Sequence, residues 1–108
     1  MPKPIFIAMT NSVSPDKDEE FNRWYNEVHA NDLLSLPTMR SLVRYRAVQQ
    51  ITPGGAEPFH QYMGIYELDD PKAALEALVE RRSTFTMTNT IADPQLISYV
   101  PFFTKTVG

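Results

Sequence analysis

The 108-residue chain has no cysteine, only four glycines, two histidines and one tryptophan, and no surplus of positive charge. Without a thiol, disulfides, thiolate nucleophiles, zinc fingers and iron–sulfur clusters are excluded. Lysine and arginine number 10 against 13 acidic side chains, a net charge of −3. Phosphate binding needs a basic field, so nucleic acid is not an expected partner. No apolar stretch approaches the roughly 18–20 residues of a membrane span, so no membrane partner is expected. The opening MPKPIFIAMT carries one lysine and an apolar run too short for a signal peptide, so a cytoplasmic location is expected. Gly-rich phosphate loops, HExxH and the serine elbow are also missing.

What is present has globular proportions: 43% hydrophobic and 21% charged residues, in a length suited to one domain, 1–108. Pro4 to Met9 is a short, partly β-branched apolar run and reads as a buried strand. Asn11 to Pro15 is loop chemistry. A helix then starts with either Ser14 as N-cap and Pro15 in the first turn, or Asp16 as N-cap in a capping box with Glu19. It should run to about Leu36, where Pro37 ends it, with Phe21, Trp24, Tyr25, Val28, Leu33 and Leu34 as its apolar face.

Met39 to Gln50 alternates as a second strand, placing Arg44 and Arg46 on the face opposite Tyr45. Thr52 to Ala56 is a turn-rich loop, and Phe59 to Leu68 a third strand in which Tyr62, Gly64, Tyr66 and Leu68 share a side. Asp70-Pro71 opens a second helix to Arg82, with Ala74, Leu75, Leu78 and Val79 as its apolar face. Ser83 to Pro94 reads either as a helix extension or as an irregular flap. Leu96 to Val107 reads as a last strand, with Pro101 at an edge or bulge.

The order β-α-β-β-α-β predicts an α+β, ferredoxin-like domain: a four-stranded antiparallel sheet with two helices on one face. Two helices cover one face only, yet the strands are apolar on both. A second copy packed sheet to sheet is the simplest cover, which predicts a homodimer enclosing a barrel-like cavity.

His29 stands four residues after Tyr25, at the border of the apolar stripe. It reads either as a hydrogen-bonded structural histidine or as an acid/base near neutrality beside Trp24, Tyr25 and Val28 at a cavity mouth. Asp32 or a backbone carbonyl could orient it. Arg44 and Arg46 read either as solvated strand charges or, if their face lines the cavity, as binders of a carboxylate or enolate oxygen. Tyr62 and Tyr66 read as core aromatics or as donors. Glu27, His29 and Asp32 are the one local cluster of ligand types, and their spacing does not converge on a single helix face, so no metal is expected.

The segment from Phe21 to Leu34, FNRWYNEVHANDLL, followed by Leu36-Pro37, then Arg44-Tyr45-Arg46 and Tyr62 to Pro71, resembles the dimeric α/β barrel superfamily, most of all its EthD-like branch and related small proteins. The resemblance covers nearly the whole chain. It implies a ferredoxin-like protomer, a dimeric barrel and His29 as the residue carried over. Relatives include polyketide cyclases, muconolactone-type isomerases, cofactor-free monooxygenases and haem-degrading enzymes. The last hold their haem from the second helix, which here has no histidine.

The functional expectation is a cofactor-free enzyme doing proton-transfer chemistry on a small, apolar, oxygenated substrate, aromatic or polyketide-like. Isomerisation, cyclisation, dehydration and carbon–carbon cleavage all fit. His29 would be the acid/base, Arg44 or Tyr66 would hold the developing oxyanion, and Trp24, Tyr25, Val28, Tyr62 and Arg46 would line the substrate site. A non-catalytic dimeric binding or accessory protein, and a cofactor-free monooxygenase acting on a phenol, are the alternatives.

Overall fold

The computed structural model describes residues 2–49, 53–55 and 59–108. Gln50, Thr52 and Ala56, named above as a strand end and loop residues, lie outside them. Among the described residues four strands form one sheet: β1 (Ile5–Ser12), β2 (Met39–Arg46), β3 (Tyr62–Leu68) and β4 (Ile91–Tyr99). Their order is β2-β3-β1-β4 with every neighbour antiparallel, the ferredoxin-like topology. Two helices connect them: α1, residues 18–34, between β1 and β2, and α2 (Pro71–Arg81) between β3 and β4.

The period-two pattern sets the register. Phe6 opposes Tyr66, Ala8 opposes Gly64, and Leu42 and Arg44 continue those two rows onto β2. These side chains point to the helices, and the core is Phe6, Tyr66, Leu68, Leu33, Leu36 and Ala74. A second cluster, Phe21, Tyr25 and Ala30, packs over Leu42 and Tyr62. The opposite sheet face carries Ile7, Val43, Tyr45, Ile65 and Tyr99, with no helix above it among the described residues.

The helix starts differ from one another. Asp70 caps α2, its carboxylate accepting from the Ala73 amide at 3.1 Å, with Pro71 in the first turn. Asp70→Ala should therefore cost about 1 kcal/mol, read as a shift in the urea midpoint with an unchanged slope. At α1 the Asp16–Glu19 capping box does not form. A 3-10 turn, Pro15–Lys17, comes first with Ser14 in the cap position, and the Ser14 hydroxyl donates to the Asp16 carboxylate instead of capping an amide.

Other boundaries shift for identifiable reasons. β1 runs on to Ser12 because Asn11 and Ser12 pair with Ala92 and Ile91. α1 stops at Leu34, and Leu36 is buried from the turn that follows. β3 starts at Tyr62, leaving Phe59 outside the ladder. α2 presents Ala74 and Ala77 to the sheet, so Leu75 and Val79 are exposed. The 83–94 segment is a 3-10 turn, Arg82–Thr84, then an irregular strap that enters β4 at Ile91.

β4 begins and ends earlier than its apolar pattern suggests. A register shift opposite Met9/Asn11 and a left-handed Asp93 (φ 51°) let Pro94 sit within an edge strand without a ladder donor. Beyond Tyr99 the chain has no ladder partner among the described residues, and Phe102 is 98% exposed. No helix among the described residues is long and apolar enough to cross a membrane.

Candidate active site

Helix α1 is not uniform. Asp18–Trp24 and Ala30–Leu34 are α-helical, and Tyr25–His29 between them is a π-helical turn. In a straight α-helix, residues five apart point about 140° away from each other. The wider turn brings Trp24 and His29 together: their rings stack with centroids 4.6 Å apart and planes 20° apart. Tyr25 meets the same imidazole edge-on at 5.0 Å. π turns recur where a helix must redirect side chains at a functional position.

His29 and Tyr25 line a cavity of about 290 Å³ between the helices and the sheet. Ala8, Thr10 and Leu96 contribute its sheet side. Leu78 and Arg82, with Phe85 and Met87 of the strap, close it opposite α1. The wall is overwhelmingly apolar, and a volume of this order is at the small end of those that hold organic ligands. A larger, more open groove of about 510 Å³ near Asn11, Asp18 and Asp93 contains neither a histidine nor an arginine.

The strap is tied to α1 through one residue. The Trp24 indole N–H donates to the Thr86 carbonyl at 2.8 Å, and the Thr86 amide donates to Asp32 Oδ2 at 3.3 Å. Asp32 is thus engaged with the strap rather than orienting His29. His29 Nδ1 is buried with no hydrogen-bond partner among the described residues. Ring packing, not a hydrogen bond, sets the imidazole's position. Burial holds its pKa below the usual 6.5; Asp32 opposes that shift and Arg44 adds to it. The imidazole is neutral at pH 7, the form that accepts a proton.

A second cluster lies around the far part of Tyr25. Its hydroxyl is 2.7 Å from that of Tyr66, and both residues are buried. Burial raises both phenols, and for Tyr66 the neighbouring Tyr25 adds to it, so the pair is neutral. The Arg44 guanidinium sits 4.0 Å from the Tyr25 ring centroid, and 5.6 and 5.8 Å from those of Tyr62 and Phe21. Its Nη1 donates to Asn26 Oδ1 at 2.9 Å, while Nε and Nη2 are buried without hydrogen-bond partners among the described residues.

The residues singled out in the sequence therefore fall into two groups joined by Tyr25. His29 and Tyr25 border the cavity, with Trp24 behind the imidazole. Arg44, Arg46 and Tyr62 line a separate recess of about 150 Å³, and Tyr66 is enclosed between the groups. Val28 is half-buried on α1 and lines neither space. The strap and Arg82 have no counterpart among the expected site residues. The strap comes from the segment that reads as either a helix extension or an irregular flap, and Arg82 from the end of the second helix. Among the described residues no group of three potential metal ligands gathers around one point.

By sequence the chain matches no protein-family model and no curated protein. The chemistry of the site therefore rests on its geometry.

Proposed function

We propose that the cavity beside His29 is the active site of a cofactor-free enzyme that moves a proton on a small, largely apolar, oxygenated substrate. One observation carries this reading: a neutral imidazole, fixed by two aromatic rings, borders an apolar cavity large enough for an organic molecule. In such a space a base is not levelled by water, and a carbon acid held against it can be deprotonated. Isomerisation, cyclisation, dehydration and carbon–carbon cleavage next to a carbonyl all start with that step. Thr10 and Gln95 add neutral polar groups to the wall. Arg44 and Tyr66 act on the site through Tyr25, which they hold from behind. The resemblance of residues 21–34, 44–46 and 62–71 to the EthD-like branch of the dimeric α/β barrel proteins agrees with this reading.

The test needs no knowledge of the natural substrate. 2-Tetralone, a small aromatic ketone, exchanges its α-hydrogens for deuterium when a base reaches them, and NMR in D2O follows the exchange. Acceleration by the wild-type protein and its loss in His29→Gln support the reading. Exchange no faster than in buffer, despite saturable binding of the ketone, favours a binding protein.

The same proposal includes a homodimer through the open sheet faces. Four strands at ~4.8 Å spacing and about eight residues in length span roughly 500 Å². Two such faces approach the ~1,000 Å² that a specific interface needs. Val43, Tyr45 and Tyr99, each about half exposed, would supply its apolar centre, and Phe102 and Phe103 would extend it. Light scattering at low micromolar concentration should give twice the chain mass, and Tyr45→Glu should shift the protein to monomer. A stable wild-type monomer would refute the dimer.

A further inference from the structure

Among the described residues, Arg82 is the one permanently charged residue in the cavity wall. It stands where α2 ends, at the start of the 3-10 turn that leads into the strap. Its guanidinium forms no ion pair and no side-chain hydrogen bond among the described residues. Its neighbours in type are mostly engaged: Arg23 with Glu19, Arg40 with Asp69, Arg44 with Asn26, and Arg81 with the Ser35 carbonyl. A cation at a helix C-terminus is favourable in itself, but Arg81 already meets that preference. It does not explain why a guanidinium without an ion-pair partner among the described residues borders a mostly apolar space.

We infer that Arg82 is a carboxylate-binding position at the rim of the cavity, and that the ligand class is a small amphipathic organic acid. Its apolar body fills the space under Phe85 and Met87, and its carboxylate pairs with the exposed guanidinium. The molecule then enters in one orientation, with its uncharged end toward His29 and Tyr25. A carboxylate deep in this wall would lose its hydration with no partner, and the rim is where one is supplied. The inference rests on the reading of this cavity as the substrate site, and it adds the charge and orientation of the substrate.

The experiment compares two isosteric probes, 3-phenylpropionate and 3-phenylpropionamide, by titration calorimetry on the full chain. Trp24, the one tryptophan, provides a second readout, because its indole stacks on His29 and is hydrogen-bonded to the strap. Wild type should bind the acid about fivefold more tightly than the amide, the scale of one solvent-exposed ion pair. Added salt should shrink that preference. Arg82→Gln, at an exposed position outside the core, should bring the ratio near one, the acid losing more affinity than the amide. Arg82→Lys should retain part of the preference. If both probes bind wild type equally, or if the acid preference survives in Arg82→Gln, the inference is overturned while the cavity reading stands. If neither probe binds, both are overturned together.

Discussion

Replacing His29 by glutamine should abolish accelerated hydrogen exchange of 2-tetralone, lowering the protein-dependent rate by about 100-fold or more, the usual range for removing a general base. Glutamine preserves much of the ring's volume and keeps a polar terminus, so the stack with Trp24 is replaced by contact rather than by a void. Circular dichroism and light scattering on the variant separate lost chemistry from lost structure. A residual rate within threefold of wild type would remove His29 from the mechanism.

The pH profile of the same reaction follows from the direction of the imidazole's shift. Burial keeps the folded-state pKa below 6.5. The exchange rate should rise with pH through a midpoint below 6.5 and be flat across neutrality. Stability carries the same signature. The unfolded chain takes up a proton near 6.5 that the folded chain resists, so His29 favours folding fully above that pH. This contribution is lost as pH falls from 6.5 toward the folded-state value. His29→Gln should flatten that part of the stability curve. A profile centred above 6.5 would mean that the working base is another group.

Much of this architecture is legible in the residue pattern because side-chain alternation is a strong local constraint. The shared face of Tyr62, Gly64 and Tyr66, and the turning of Arg44 and Arg46 away from Tyr45, follow from period two and are seen in the sheet register. The π turn is not legible. Residue types at Tyr25–His29 suit an α-helix equally well, and the extra residue is accommodated by backbone hydrogen bonds that no spacing rule encodes. The bounds of the last strand are not legible either: its apolar residues continue past Tyr99, while its start depends on a bulge at Asp93–Pro94. That the strap and Arg82 border the site is not legible either, because they reach it through tertiary packing.

The position of Tyr25, on which both clusters depend, should be set by the missing side chain at Gly64. A Cβ there would lie 3.1 Å from the Tyr25 hydroxyl, 3.2 Å from Leu42 Cδ1 and 3.3 Å from Tyr66 Cε2. Tyr25 has little room to give way, since its hydroxyl is held by Tyr66 and Arg44 lies over its ring. Gly64→Ala should therefore cost about 1–3 kcal/mol from overpacking, despite the ~0.5–1 kcal/mol that alanine gains over glycine in a strand. Each kcal/mol corresponds to a fall in melting temperature of roughly 4–8 °C for a domain of this size. Tyr25→Phe alone should also destabilise, by about 1–3 kcal/mol, because it leaves the buried Tyr66 hydroxyl without a partner. The two changes should not add. Phenylalanine removes the atom nearest the new methyl, so the double variant should be more stable than the sum of the single losses by ~0.5 kcal/mol or more. Strict additivity would place the strain at Leu42 or at the Tyr66 ring. Coupling would show that a glycine in β3 fixes the tyrosine that forms the wall beside His29.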